Sequence, residues 1–313
     1  MADKLISSRA VIGWFYKKLN AGAGLNWAQK IGMISNSDQE SETYAWLGQA
    51  PQMREWVGGR HVKTLPEQSY ELKNKMYEST IEFKLKDLRR DKSGQVQARI
   101  NDLALRTNSH WASLASATIE AGESTTCYDG QYFFDTDHSE GKSGTQSNDI
   151  QVDISALPAT VHGAAVTAPS VEEMQQSILK GIVQIMSFKD DQGEPFNEGA
   201  AEFLVMVPTG LYFTALNALT MPRGTGVSEN LPEGLKISVE VNTRLTWTDK
   251  FAVFRTDSDV KALILQSEKP VELKVKGEGS EFEFDNNAHQ YGVDASRVVG
   301  YGMWQEACLV TMV

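Results

Sequence analysis

The sequence predicts an α+β fold, and three observations predict it. Residues 93–122 read as one uninterrupted helix with a strand-like run, 77–85, leading into it. A separate unit of helices and strands begins at residue 170. The stretch 303–313 is strand-like and apolar to its end, which says that it is tied down in a sheet.

The helix is the centre of the prediction. Val96, Ile100, Leu103, Thr107, Trp111, Leu114 and Thr118 recur at steps of three and four and share one face. Ser93 can cap its first turn, and Gly122 can sit just past its last. Such a rod is on the order of 40 Å long, at about 1.5 Å per residue, so it is expected to act as a spine across which other elements pack. Trp111 is expected to be its central anchor, with Leu114 beside it in the core. His110, about 100° round the helix, should be more exposed.

Length and composition narrow the classes. A chain of 313 residues, 41% apolar and 23% charged, can bury a large core. No run of about 18 apolar residues occurs, so no membrane span is expected. Residues 1–5 lack the pattern of a signal peptide. Two cysteines, Cys127 and Cys308, exclude a disulfide framework. A net charge of -11 argues against gripping nucleic acid or an anionic membrane surface.

Before the spine, Val11, Ile12, Phe15 and Leu19 line one side of a short amphipathic helix that ends at a Gly-rich break. With little to bury itself in, it reads as an arm that packs on something else, such as another subunit. Tyr44-Ala45-Trp46-Leu47-Gly48 and Glu55-Trp56-Val57-Gly58-Gly59-Arg60 then bracket Pro51, and two extended runs, 61–65 and 70–73, follow. The pattern suggests a long two-stranded excursion. A lone hairpin is marginal in water, so its aromatics want a partner surface.

After the spine, Asp129-Gly130 is a turn signal, and Phe133 and Phe134 anchor the turn in the core. Asp135, Asp137 and His138 have the right chemistry for a metal but do not obviously converge, so no metal or other cofactor is assigned. Residues 139–148 are rich in Gly, Ser and Thr and read as mobile. Ser170 and Glu173 form a capping box for a helix with Val171, Met174, Ile178, Ile182 and Ile185 on its apolar face. Buried-strand runs follow at 203–207, 235–241, 251–255 and 262–266, and Leu273, Val275, Phe282 and Phe284 read as further strand material. No phosphate loop, nucleophile elbow or Cys-x-x-Cys pair occurs, and no catalytic residue is assigned.

As a set, these residues resemble the major head subunit of Mu-like phages and prophages. The resemblance is carried by Tyr44-Ala45-Trp46-Leu47-Gly48, Pro51, Glu55-Trp56-Val57-Gly58, Arg60, Tyr70, Asn74-Lys75, Tyr77-Glu78 and Thr80. Tyr128-Asp129-Gly130-Gln131, Phe133-Phe134 and His138 carry it after the spine, with a looser match at Gly193, Pro195 and 205–208. The chain departs from the pattern at Asp87-Leu88-Arg89-Arg90-Asp91, where the family tends to be acidic.

The resemblance implies the Hong Kong 97-type phage capsid fold. Residues 1–40 would be the N-terminal arm and 41–76 the extended loop. Residues 77–169 and 267–313 would form a peripheral domain with the spine, and 170–266 an axial domain. The tail would return to the peripheral sheet. Tyr44, Trp46, Leu47, Trp56, Val57, Arg60 and Tyr70 in the loop, and Val11, Phe15 and Leu19 in the arm, would contact neighbouring subunits. The implied function is a major capsid protein that self-assembles from hexameric and pentameric capsomers into the icosahedral shell around the double-stranded DNA of a tailed phage. It would use a separate scaffolding protein, since no large segment precedes the arm, together with a portal and in some shells a decoration protein. It would bind neither DNA sequence nor membrane, and would assemble in the bacterial cytoplasm. The competing readings are an encapsulin-like shell around protein cargo, a metal-dependent hydrolase using Asp135, Asp137 and His138, and a monomeric binding protein.

Overall fold

The computed structural model describes residues 6–22, 26–44, 70–91, 93–220 and 234–313. In chain order the first elements are α1 (Ser8–Asn20), α2 (Asn26–Ile31), β1 (Gly32–Asn36), β2 (Ser41–Tyr44), β3 (Tyr70–Lys73), β4 (Lys75–Lys84), α3 (Leu85–Arg90) and α4 (Gln95–Glu120). Then come β5 (Asp149–Val152), α5 (Val171–Ser187), β6 (Glu202–Val207), α6 (Tyr212–Thr220), β7 (Lys236–Val241) and β8 (Lys250–Arg255). The chain closes with β9 (Leu263–Lys276), α7 (Glu281–Asn286), β10 (Ala288–Tyr301) and β11 (Ala307–Met312).

Continuous apolar runs have become strands buried on both faces, as such runs must. β6, β8 and β11 are buried along almost their whole length and sit in a five-stranded sheet of order β5-β11-β8-β6-β7. The Ser170–Glu173 capping box starts α5, which crosses β8 and β11. Gly181 makes that crossing close, because a Cβ there would sit 3.0 Å from both Val253 and Val310.

The second sheet has order β1-β9-β10-β4. β9 and β10 are long antiparallel partners whose register shifts around Asp294–Arg297. The spine, α4, packs against β10, and α1 packs on the spine. A two-stranded ribbon, β2–β3, completes the fold. It lies on Gly300 of β10, where a Cβ would meet Leu72 at 2.4 Å.

The structure corrects four expectations. The tail does not return to the sheet beside the spine: β11 lies between β5 and β8 of the other sheet. Its run lacks two-residue alternation and is buried on both faces, which suits an interior strand. Residues 139–148 are pinned, not loose. Gly141 and Gly144 hold φ of +54° and +74°, and Lys142 N donates to Asp191 O at 2.8 Å, so these glycines supply conformation rather than flexibility. Phe282 and Phe284 lie in α7, which Ser280 caps and Asn287 ends at φ +49°. β10, interrupted by glycines and charges, was not anticipated.

The fourth correction concerns the spine. Gly94, not Ser93, precedes its first turn, and the Asp91 carboxylate accepts from Gln95 N at 3.0 Å and Val96 N at 2.9 Å. Its buried residues are Val96, Ile100, Leu103, Ala104, Asn108, Ala112, Ala115, Ser116 and Ile119. The predicted stripe keeps to one side of a straight helix, since its steps of three and four average close to the helical repeat of about 3.6 residues, but the buried face does not keep to that side. By the second half, the buried face has turned past Trp111 and Leu114 onto Ala112 and Ala115. Trp111 and Leu114 are half-buried and pack on the core edge. Trp111 covers the buried Arg297, whose guanidinium lies 4.9 Å from the ring centroid.

Candidate functional site

The predicted contact residues fall into two groups. Trp46, Leu47, Trp56, Val57 and Arg60 lie outside the described residues. The others face this chain's own interior. Val11 and Phe15 are fully buried and Leu19 partly so, in a cluster with Val96, Ile100 and Leu103 of the spine and Phe83 and Tyr291 of the sheet. The amphipathic helix therefore finds its apolar partner within the chain. Tyr44 is 4% exposed among Leu72, Ile264 and Met303, and its hydroxyl donates to Gln266 Oε1 at 2.6 Å. Tyr70 is half-buried, and its hydroxyl oxygen accepts from Tyr301 N at 3.2 Å. The two tyrosines are the last pair of the ribbon, at the end opposite Ser41 and Lys73, and brace it against β9 and β10.

The turn after the spine is built from the residues that carried the resemblance. Gly122 is pressed on Phe134, where a Cβ would come within 2.5 Å. Phe133 and Phe134 are buried, and Phe133 stacks on Tyr301 with centroids 4.5 Å apart. Asp129 Oδ1 accepts from the Cys127 thiol at 3.0 Å and Gln131 N at 3.1 Å. Its Oδ2 lies 2.6 Å from His138 Nδ1. The His138 ring, wholly buried, stacks on Trp304 at 4.1 Å and 8°. His138 Nε2 is 3.2 Å from Asn148 Oδ1, which also accepts from Asp135 N. Asn148 Nδ2 donates to the carbonyls of Phe133 at 2.7 Å and Trp304 at 3.3 Å. Glu140 accepts from Tyr128 at 2.6 Å and from the Trp304 indole at 3.3 Å. This clamp fastens residues 127–148 to the approach to β11.

The electrostatics suit a clamp. Burial would raise the Asp129 carboxyl, but the hydrogen bonds from His138 and Cys127 outweigh it and hold it below the usual range. Burial, reinforced by Asp129, pushes the Cys127 thiol well up, and burial likewise raises Cys308 and Glu140. A thiol held protonated is a poor nucleophile and a poor metal ligand. Cys127, Asp129 and His138 do bring three ligand-type atoms within 4.8 Å of one another, but both Asp129 oxygens are already engaged within the clamp. Asp135 and Asp137 turn elsewhere: Asp135 accepts from Tyr132 N and Thr136 N, and Asp137 is exposed. Asn148 and Glu140 were not foreseen, because polar residues in a Gly- and Ser-rich stretch look like loop, and Trp304 was not, because it reads as part of the strand-like run 303–313.

The outer surface offers large apolar side chains that the described residues leave uncovered. Ile34, Met76, Val183, Phe213 and above all Phe284, at 91% exposure, stand in solvent. β4 is an edge strand and is mostly exposed.

A family model described as the Mu-like prophage major head subunit gpT matches residues 11–157 and 228–311. The Mu-like prophage FluMu major head subunit of Haemophilus influenzae is 35% identical over 123 residues, 39% of this chain and 40% of that protein. The major capsid protein of Escherichia phage Mu is 31% identical over 137 residues, 41% of this chain and 45% of that one. The chain thus spans less than half the length of the curated relatives it matches. The capsid chain in the procapsid of bacteriophage JBD30 superimposes with a TM-score of 0.56 at 22% identity, covering 97% of this chain and 74% of that chain. The fold is the phage capsid fold of the Hong Kong 97 type. Because the family match takes in the ribbon, the spine, the clamp and the closing strands together, the chain belongs to the Mu-like prophage major head subunit gpT family.

Proposed function

We propose that the chain is the major capsid subunit of a tailed phage, a tile that self-assembles into an icosahedral shell around double-stranded DNA. The observation that carries this reading is the braced ribbon in a chain of this family. The stretch holding Trp46, Leu47, Trp56, Val57 and Arg60 begins and ends on a base fixed by the Tyr44–Gln266 and Tyr70–Tyr301 bonds. Contact aromatics work best when ordering them costs little on binding. Many such contacts, each weak, multiply around hexameric and pentameric rings into a stable shell. A net charge of -11 fits a container that must not grip its genome.

The work is assembly rather than catalysis. The thiols and buried carboxylates are engaged in holding the subunit together, and the raised Cys127 and Cys308 thiols suit packing better than attack. A separate scaffolding protein would set shell curvature, a portal would occupy one vertex, and a decoration protein would bind the finished surface. Assembly would take place in the bacterial cytoplasm and the product would be the virion head.

Co-expression with the scaffold, followed by negative-stain microscopy and nuclease treatment of purified heads from infected cells, tests the reading. Closed shells and nuclease-protected DNA are expected. A soluble monomer that never forms particles with the scaffold overturns it, as do particles filled with protein and lacking DNA.

A further inference from the structure

At the end of the four-stranded sheet, the turn between β9 and β10 is rigid and yet presents an aromatic to solvent. Ser280 Oγ accepts from Glu283 N at 3.2 Å, Asn287 ends α7 in the left-handed region, and Glu283 accepts from Gly279 N at 2.6 Å. Glu283 also meets buried His289 at 3.1 Å, and Glu278 accepts from Ser8 N at 2.8 Å. Glu278 and Glu283 are therefore committed to the chain's own structure. What faces outward is Phe284, 91% exposed, with Glu281 and Asp285 exposed beside it. Among the described residues neither acid has an ion-pair partner.

Beside this tip lies its electrostatic complement. Leu85 N donates to Asn287 O at 3.0 Å, so α3 begins where α7 ends. Lys86, Arg89 and Arg90 of α3 are exposed, and among the described residues they too have no ion-pair partner. One corner of the molecule thus carries an acidic aromatic knob and a basic patch, neither satisfied among the described residues.

We propose that this corner is a contact between copies of the chain, in which the Phe284 knob of one subunit seats on the Lys86, Arg89 and Arg90 patch of the next. The occupant is a second copy because both complementary halves belong to the same chain. Such a pairing joins two different patches, so it repeats from copy to copy and closes as a ring when the rotation allows. Arginine suits the role, since its guanidinium can lie on a phenyl face while bonding a carboxylate. The contact is small and rests on the shell reading for its effect, gaining strength by repetition.

The test uses charge exchange on the full chain assembled with its scaffold. Glu281→Arg with Asp285→Arg, or Arg89→Glu with Arg90→Glu, should each lower the yield of sedimenting shells by about tenfold or more while the subunit's melting temperature holds. Phe284→Ala should lower it in the same direction. Combining the two reversals in one chain should restore shells. Unchanged yield in either reversal, or a loss the combination does not restore, overturns the contact. A second measurement needs no variant. In wild-type shells mixed from light- and heavy-nitrogen subunits, a zero-length carbodiimide should join Glu281 or Asp285 of one copy to Lys86 of another, and absence of that mixed product overturns the proposal. Should wild-type protein form no shells, the shell reading falls. The same crosslink is then sought in concentrated soluble protein, where its absence overturns the contact as well.

Discussion

The two sheets of this subunit draw on similar residues and face opposite demands. In the five-stranded sheet, β6, β8 and β11 are closed in on both faces, and a helix without a side chain at Gly181 is pressed against them. In the four-stranded sheet, the long edge strand β4 exposes most of its residues and the β9–β10 turn carries Phe284 into solvent. The difference teaches where stability and sociability reside. The first sheet holds the subunit together, and the second leaves surface for neighbours. Variants in the first should therefore damage folding, and variants on the second should be mild in the isolated subunit.

The largest expected effect is at the clamp beside the five-stranded sheet. Trp304 is fully buried, stacked on His138 and edge-on to Phe188. Trp304→Ala should cost about 3–5 kcal/mol in urea unfolding, enough to leave little folded subunit at 37 °C. If it costs no more than a surface substitution, the contrast between the sheets fails.

Asn148→Ala comes next. It strands the Phe133 carbonyl and the Asp135 amide, while the Trp304 carbonyl keeps its bond from Ala307 N, and should cost about 2–4 kcal/mol, since each buried group left unpaired costs roughly 1–3 kcal/mol. Asn148→Asp sharpens the point: it puts a carboxylate oxygen where a donor stood, against two carbonyls, and should be at least as harmful.

Glu306 gives a pH-dependent version of the comparison. It is 1% exposed, and burial pushes its carboxyl up to about 7 despite Arg255 nearby. A raised acid means that the folded chain holds a proton the unfolded chain has released. Stability attributable to this group must therefore fall as pH rises from about 4.5 to 7 and level off above. The loss should be on the order of 3 kcal/mol. Glu306→Gln should unfold with a midpoint that lacks this decline, so the gap between variant and wild type should widen from pH 5 to pH 7. A constant gap would show that the carboxyl ionises equally in both states.

The smallest expected effect is at Trp111. The sequence pattern made it the anchor of the spine, with a cost of roughly 3–5 kcal/mol on truncation. In the structure it is half-buried over the Arg297 guanidinium, so Trp111→Ala should cost about 1–2 kcal/mol. Burial lowers Arg297 to about 10. Stripping its aromatic cover lets water reach it and should bring it back toward its usual value.

These contrasts also show what the sequence made legible. The spine and the capped α5 are written in apolar periodicity and the buried strands β6, β8 and β11 in nearly unbroken apolar runs, and they were readable because water excludes the same residues in any fold. The rotation of the spine's buried face was not, because Ala112, Ala115 and Ser116 bury by letting backbones approach and contribute little to an apolar count. The ribbon showed the opposite failure. Tyr44 and Tyr70 looked like exposed contact residues, since no nearby residue could bury them. Their partners, Gln266 and Tyr301, lie about two hundred residues further on. The clamp was half legible: Asp129, Phe133, Phe134 and His138 stood out as a motif. Asn148 and Trp304, which complete it, come from a stretch that reads as loop and from the start of the apolar tail.

The position of β11 has a consequence for the order of events in the cell. It lies inside the five-stranded sheet, hydrogen-bonded to β5 on one side and β8 on the other. Ribosomes deliver residues in sequence, so every earlier strand of that sheet emerges and waits, unclosed, for residues 307–312. The Trp304 side of the clamp arrives in the same instalment. The four-stranded sheet waits almost as long, because its inner strand β10 ends only at Tyr301, so a half-made chain can form the spine with α1 on it but can complete neither sheet. Long-range pairing of this kind is slow, and exposed edges during the wait invite misassociation. The subunit becomes a competent tile almost at once, when residues 288–312 have emerged, rather than by degrees.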